Sequence, residues 1–265
     1  MWIDTHCHLD AGEFGTESAE VAIRALQQGV SWIVIPAVAP ENFEVVRQLA
    51  GNQPNCAYAL GIHPLYVPHT NSTALEALRE AVPSALRDPR FVAIGEIGLD
   101  FFLPELCVPA MREKQLHFYT EQLKIARDFN LPVLLHVRRS QDIILKHLRR
   151  IAPAGGIAHA FNGSMQQATA FVNLGFKLGL GGAMTFARAL QIRRLAQQMP
   201  LASLVLETDA PDISPCWIHP GRNSPEYLPG IGISLAEIRG MAVDEVAQAT
   251  SANACAALPR LAHLR

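Results

Sequence analysis

The chain opens on Asp4-Thr5-His6-Cys7-His8. Side chains alternate along an extended segment, so His6 and His8 fall on one face with Asp4 and can turn toward a single ion, while Cys7 points the other way. Residues of the same kind return further on. His63 stands in Gly61-Ile62-His63-Pro64, Glu96 and Asp100 in Gly95-Glu96-Ile97-Gly98-Leu99-Asp100, and His136 in Leu134-Leu135-His136-Val137-Arg138. His159 follows Ile157-Ala158, and Asp209 ends Leu206-Glu207-Thr208-Asp209. Imidazole nitrogens and carboxylate oxygens are ligands for divalent metals. A bound divalent ion lowers the pKa of its water from 15.7 to about 7, which supplies a hydrolytic nucleophile at neutral pH. Each residue alone has an ordinary reading: a single histidine at a strand end is usually a hydrogen-bonded core residue, and an Asp before Ala210-Pro211 can simply start a turn.

The elements that carry these residues change that reading. Strands are expected over Trp2–Leu9, Ser31–Val38, Cys56–His63, Phe91–Asp100, Pro132–Arg138, Gly155–Phe161, Phe176–Gly182 and Ser203–Asp209. Between them run segments of helical periodicity such as Glu17–Gln28 and Glu105–Asn130, with Gly29 and Asn130 as stop signals and Ser164 opening the helix after the sixth strand. Apolar strands that each lead into a helix call for a parallel sheet covered on both faces. The economical architecture is α/β, a (β/α)8 TIM barrel in one domain over residues 1–265, close to the typical length of about 250. A doubly wound open sheet is the rival. Active sites of such barrels sit at the C-terminal strand ends, and six of the eight expected strands end in His, Glu or Asp. Buried together without a cation, these groups would carry heavy desolvation costs.

The stretch from Pro211 to Ile233 is expected to be irregular and to serve as a substrate loop. His219 lies in it, within reach of the site. His69, His117, His147 and His263 are expected in solvent, Cys7 between barrel and helices, and Lys177 as a snorkelling surface residue.

Composition narrows the class. The chain has 265 residues, 49% of them hydrophobic and 17% charged, which excludes a disordered protein. Its five cysteines are scattered without a CxxC pair, as in reduced, cytoplasmic proteins. An apolar run of about 18 residues is absent, so no membrane contact is expected, and the lack of a heptad seam makes a monomer the expectation. The net charge is −2, with 22 basic residues, most of them arginine, against 24 acidic ones. No large basic surface is advertised, so any contact with a polyanion must be local.

Taken together, Asp4–His8, Gly61–Pro64, Gly95–Asp100, Leu131–His136, His159-Ala160-Phe161-Asn162-Gly163-Ser164 and Glu207-Thr208-Asp209-Ala210-Pro211 resemble the TatD family of metal-dependent deoxyribonucleases, from residue 3 to about residue 255. The resemblance implies a two-metal site. His6, His8 and Asp209 would hold one ion, His136 and His159 the other, with Glu96 bridging them. Activity would use Mg2+ or Mn2+, and Zn2+ would also bind. His63 would stand near the scissile phosphate, with Arg138, Arg222 and Asn223 as substrate contacts. The catalytic residues are then Asp209, Glu96 and His63. Asp209 orients the attacking water and accepts its proton, and His63 and Arg138 stabilise the non-bridging oxygens. Asp4 and Glu207 would orient imidazoles from behind, and the helix start at Asn162-Gly163-Ser164 would offer amides to a phosphate. The implied activity is 3′-to-5′ exonucleolytic hydrolysis of single-stranded or frayed DNA ends, or of RNA; a few arginines around a cleft fit such an end and a shallow salt dependence, where a long duplex footprint would need a basic stripe. Asp212, the Pro215–His219 segment and Leu258 depart from the family's pattern. Two other functions stay open on the same ligand set: hydrolysis of a small amide, lactone or phosphotriester, and a non-catalytic metal-binding scaffold.

Overall fold

In the computed structural model, which describes residues 1–264, eight parallel strands follow one another round a single sheet in chain order. They are β1 (Trp2–Asp4), β2 (Val30–Pro36), β3 (Cys56–Leu60), β4 (Phe91–Asp100), β5 (Val133–Arg138), β6 (Gly156–Ala158), β7 (Phe176–Leu180) and β8 (Leu204–Leu206). Beyond the end of β1, Thr5 brings the last strand back to the first: both its amide and its hydroxyl donate to the Leu206 carbonyl, at 3.1 and 3.0 Å. The result is the TIM barrel that the alternation of apolar strands and helices implies.

The helices are α1 (Ser18–Gln27), α2 (Phe43–Asn52), α3 (Thr73–Ala85), α4 (Pro109–Asp128), α5 (Gln141–Ile151), α6 (Met165–Asn173), α7 (Leu190–Gln198), α8 (Leu228–Arg239), α9 (Val243–Ala257) and α10 (Pro259–Ala262). Their ends follow local chemistry. Gly29 and Asn130 take positive φ after α1 and α4, and Ser164 caps α6 in a reciprocal pair with Gln167.

Of the three buried clusters among the described residues, a small one (Ile62, Val67, Ala74, Leu75 and Phe118) lies apart and the other two build the barrel. The larger lies between strands and helices and includes Cys7 with Trp2 and Leu9. The smaller fills the barrel interior: Ile3, Val34, Ala59, Ala93, Leu134 and Val205 meet Leu258 and Leu261 from the end of the chain. Arg260 donates to the carbonyls of Phe91 and Leu86, so α10 closes the barrel at the N-terminal ends of its strands. The opposite rim is left for chemistry.

Four local expectations need correction. The helix expected from Glu105 begins at Pro109, because a proline there lacks an amide and its ring would strike the carbonyl four residues back; Glu105 lies in a separate turn, Pro104–Leu106. The irregular stretch after β8 ends well before Ile233. A turn at Pro225–Tyr227 leads directly into α8, with Pro229 in its first turn. Gly230 and Gly232 are packing glycines within α8: a Cβ on Gly230 would come within 2.8 Å of the Trp217 ring, and one on Gly232 would strike Trp2. His147 is buried rather than solvated, 3.3 Å from the Thr120 hydroxyl. Finally β1, β3, β6 and β8 are shorter than expected and stop before His6, His63, His159 and Asp209. Those residues leave the ladder at its end, where side chains take over the main-chain donors.

Candidate metal centre

The C-terminal rim gathers five imidazoles around one carboxylate. Glu96, on β4 and 1% exposed, faces His6 Nε2 at 3.0 Å and His8 Nε2 at 3.3 Å with Oε2. Its Oε1 faces His136 Nδ1 at 2.9 Å, His159 Nε2 at 3.1 Å and His63 Nε2 at 3.2 Å. Asp209 Oδ1 stands 3.8 to 3.9 Å from His6, His8 and His159. One carboxylate offers about four acceptor sites, and the ring nitrogens crowd each other: His6 and His8 at 3.3 Å, His63 and His136 at 3.0 Å. A donor set of this kind, lone pairs aimed inward in a buried pocket, fits divalent cations better than it fits its own hydrogen bonds. Three groups have all their ligand atoms within 4.8 Å of one another: His6, His8 and Asp209; His6, Glu96 and His159; His63, Glu96 and His136.

The far side of each ring shows which nitrogen carries the lone pair. His136 Nε2 lies 3.0 Å from Asp100 Oδ2, so Nε2–H donates there and Nδ1 is free to ligate. His159 Nε2 faces Glu96 at 3.1 Å, and its Nδ1 lies 3.5 Å from Glu207 Oε1 without a hydrogen bond. His63 differs. Its Nδ1 accepts the Leu65 amide at 3.1 Å, so the neutral ring holds its proton on Nε2 and presents a donor to the site. Burial pushes His63 down to about 4, which keeps it neutral.

Close backbone approach brings the groups together. A Cβ on Gly61 would lie 2.6 Å from the Gly95 carbonyl carbon, and one on Gly95 would lie 2.5 Å from Leu134 Cβ. These two glycines let β3, β4 and β5 run near enough for His63 and Glu96, which follow them, to meet.

Charge within the cluster is uneven. Burial raises Asp209 to about 6 against the pull of His159 and His8. Burial opposes a charge on His8, yet its hydrogen bond to Glu96 and the neighbouring carboxylates lift it to about 9. Glu96 is held well below the ordinary carboxylate value, because the surrounding imidazoles outweigh its burial. Among the described residues, His6 Nδ1, His159 Nδ1 and Glu207 Oε2 of the site are buried without a hydrogen-bond partner.

The remaining expected residues separate. Asp4 does not orient an imidazole: its oxygens accept from the amides of His6 and Thr208 and from the Thr208 hydroxyl, because β1 ends at Asp4 and the shared face ends with it. Glu207 accepts the Ala160 amide beside His159. Arg138 is exposed at the rim, 3.7 Å from Asp100. Asn223 is fully buried. Its amide nitrogen serves the carbonyls of Thr208, Asp212 and Ile213, so it clamps the loop and has no free group for substrate. The start of α6 likewise has the Ser164 and Gln167 amides engaged in the capping pair.

Arg222 donates to the Glu13 carbonyl and to Glu17, and it lines a cavity of about 740 Å3. The loops after β1, β7 and β8 form that cavity, with Phe186, Arg188, Asp212 and His219 among its walls. His219 therefore belongs to this cavity, edge-on to Phe186 at 5.4 Å, and not to the cluster. Asp100 had no role assigned from sequence. The signal was its spacing of four from Glu96 on a strand, which puts both on one face.

A family model described as TatD related DNase matches residues 3–259. The metal-dependent hydrolase YjjV of Escherichia coli K12 is 42% identical over 249 residues, 94% of each chain. Its crystal structure superimposes with a TM-score of 0.90, covering 97% of this chain and 98% of that one. The 3′-5′ ssDNA/RNA exonuclease TatD of Klebsiella pneumoniae is 31% identical over 257 residues, 94% of this chain and 95% of that protein. No described helix is long and apolar enough to cross a membrane. By family model, sequence and fold, the chain belongs to the TatD family of metal-dependent hydrolases.

Proposed function

We propose that the protein is a phosphodiesterase that trims single-stranded or frayed DNA or RNA from the 3′ end, using two divalent ions. The observation that carries this reading is the convergence of five imidazoles and Asp209 on Glu96; on the loops after β1, β7 and β8 a separate cavity of about 740 Å3 is walled by Arg188 and Arg222. His6, His8 and Asp209 would hold one ion and His136 and His159 the other, with Glu96 between them. Bound there, Mg2+, Mn2+ or Zn2+ supplies Lewis acidity toward the phosphoryl oxygens and acidifies water.

The chain's own groups do the rest. Asp209 Oδ1, just beyond the end of β8 and 3.8 to 3.9 Å from His6, His8 and His159, would receive the proton of the attacking water. His63 Nε2–H, kept neutral, donates to a non-bridging phosphoryl oxygen. Arg138 and Arg222 hold phosphate charge at the rim. The cavity has the volume of a small-ligand site, which suits the end of a strand. The exonuclease named in Klebsiella pneumoniae supports the same polarity and substrate.

The test is turnover of 5′- and 3′-labelled single-stranded DNA and RNA by Mn2+-reconstituted protein, with Asp209→Ala as control. A 5′-labelled ladder that shortens one nucleotide at a time, absent in the control, is expected. Cleavage of lactones or amides with intact oligonucleotides would replace this reading by the small-molecule one.

A further inference from the structure

We propose that Phe102 and Arg139, with Arg138, form a stacking platform for a second nucleotide of the strand, across the metal cluster from the cavity. The inference rests on the phosphodiesterase reading and adds a subsite to it. Phe102 follows β4 and is 41% exposed, although it is a large aromatic. The guanidinium of Arg138 lies 3.9 Å from its ring centroid and that of Arg139 lies 4.6 Å away. Arg112 covers the neighbouring Phe101 in the same way, at 4.2 Å.

Two cations on one exposed ring repel each other unless an anion lies near. Arg138 has only the buried Asp100, at 3.7 Å. Among the described residues Arg139 makes no hydrogen bond or ion pair, and its backbone takes φ +54 at the end of β5. A partly exposed ring flanked by two guanidinium groups, one of them without an anionic partner, suits a single strand: a base stacks on a guanidinium plane or on the ring, and the adjoining phosphate neutralises the cations.

Position supports this. The platform stands on the loops after β4 and β5, while the cavity stands on those after β7, β8 and β1. In a barrel ordered β1 to β8 these are opposite arcs of one rim, with Glu96 and the imidazoles between them. The platform is also tied to the cluster. The Phe102 amide donates to Asp100 Oδ1 at 2.8 Å, and Asp100 Oδ2 receives His136 Nε2 at 3.0 Å. A strand whose terminal nucleotide enters the cavity thus lays its scissile phosphate over the cluster and its next base on Phe102.

Kinetics of Phe102→Ala, Phe102→Trp and Arg139→Gln test the platform, in Mn2+-reconstituted protein. The substrates are a short single-stranded DNA, the same strand with an abasic residue near its 3′ end, and bis(p-nitrophenyl) phosphate, which is too small to reach the platform. Phe102→Ala is expected to raise KM for the DNA about tenfold, to leave turnover of the small diester within about twofold, and to be rescued by Phe102→Trp. The abasic strand should lose the same factor with the unsubstituted protein and nothing more with Phe102→Ala. An unchanged KM in Phe102→Ala and Arg139→Gln, while the unsubstituted protein trims DNA, overturns the platform alone. Equal loss on DNA and small diester overturns it as a structural effect. If the unsubstituted protein turns over the small diester and no DNA, the polynucleotide reading fails and takes the platform with it.

Discussion

Asp4 Oδ2 accepts the Thr208 hydroxyl at 2.6 Å while Oδ1 accepts the Thr208 amide at 3.0 Å, and this pair joins the first and last strands of the barrel beyond the end of β8. Both residues are fully buried. The Asp4 carboxyl also takes the His6 amide, so the seam that closes the barrel sets the backbone from which His6 and Asp209 project. Thr208→Val keeps the shape and removes the hydroxyl donor. It should cost about 1–3 kcal/mol of stability, read as a lower urea midpoint at unchanged m-value, and it should lower kcat by disturbing Asp209. An unchanged midpoint would show that the seam does not need this bond.

That seam also marks where sequence reasoning stops. β4 is legible to the residue, Phe91 to Asp100, because all ten positions are buried and apolar or functional. The site residues are legible as types at strand ends. Their orientation is less so: the alternation that puts Asp4 beside His6 and His8 assumes an extended chain through residue 8, whereas the strand ends at Asp4. Gly230 and Gly232 look like loop residues until the indoles of Trp217 and Trp2 are seen against them. Packing partners remote in the chain are what local pattern does not contain.

Metal binding should stabilise the fold as well as enable it to act. The imidazoles of His6, His8, His136 and His159 crowd Glu96 and Asp209 in one buried pocket, and cations would satisfy their inward ring nitrogens. Equilibrium dialysis against Mn2+ is expected to give two equivalents per chain, with Tm rising as metal is added. At a free concentration a hundred times Kd, the gain is about 3 kcal/mol per site. Glu96→Gln keeps the volume and loses the charge facing both halves of the cluster, so it should lower the stoichiometry and reduce kcat by about a hundredfold or more. Full stoichiometry in Glu96→Gln would remove Glu96 from the bridging position.

The end of the rim loop is anchored by an ion pair whose pH dependence has a definite sign. Burial alone would raise the Glu226 carboxyl, but hydrogen bonds from Arg24 at 2.8 Å and Ser224 at 2.7 Å outweigh it and hold the group below the ordinary 4.5. A depressed folded value contributes stability above the unfolded pKa, and that contribution disappears as pH falls through the folded value. Glu226→Gln should therefore be less stable by about 0.5–1 kcal/mol at pH 7, a figure reduced for partial exposure. The gap should close as pH drops below about 4. A gap that stays constant down to acid pH would mean that the charge of Glu226 does not contribute.

Asn223 distinguishes two roles that its position in the motif leaves open. A substrate contact would leave stability alone and raise KM. In the structure its Nδ2 donates to the Thr208 and Asp212 carbonyls at 2.8 Å and shares a donor with the Ile213 carbonyl at 3.2 Å, and its Oδ1 accepts the Ser224 amide at 2.9 Å. Truncation strands those buried groups, and the loop they hold supplies Asp212 and Ile213 to the cavity wall. Asn223→Ala should therefore lower stability by about 3 kcal/mol and speed proteolysis within residues 211–224. Its KM for a strand end should rise only as far as the loop loosens, so added glycerol or low temperature should restore it. A stable Asn223→Ala protein with a raised KM that neither treatment repairs would return Asn223 to the substrate side of the loop.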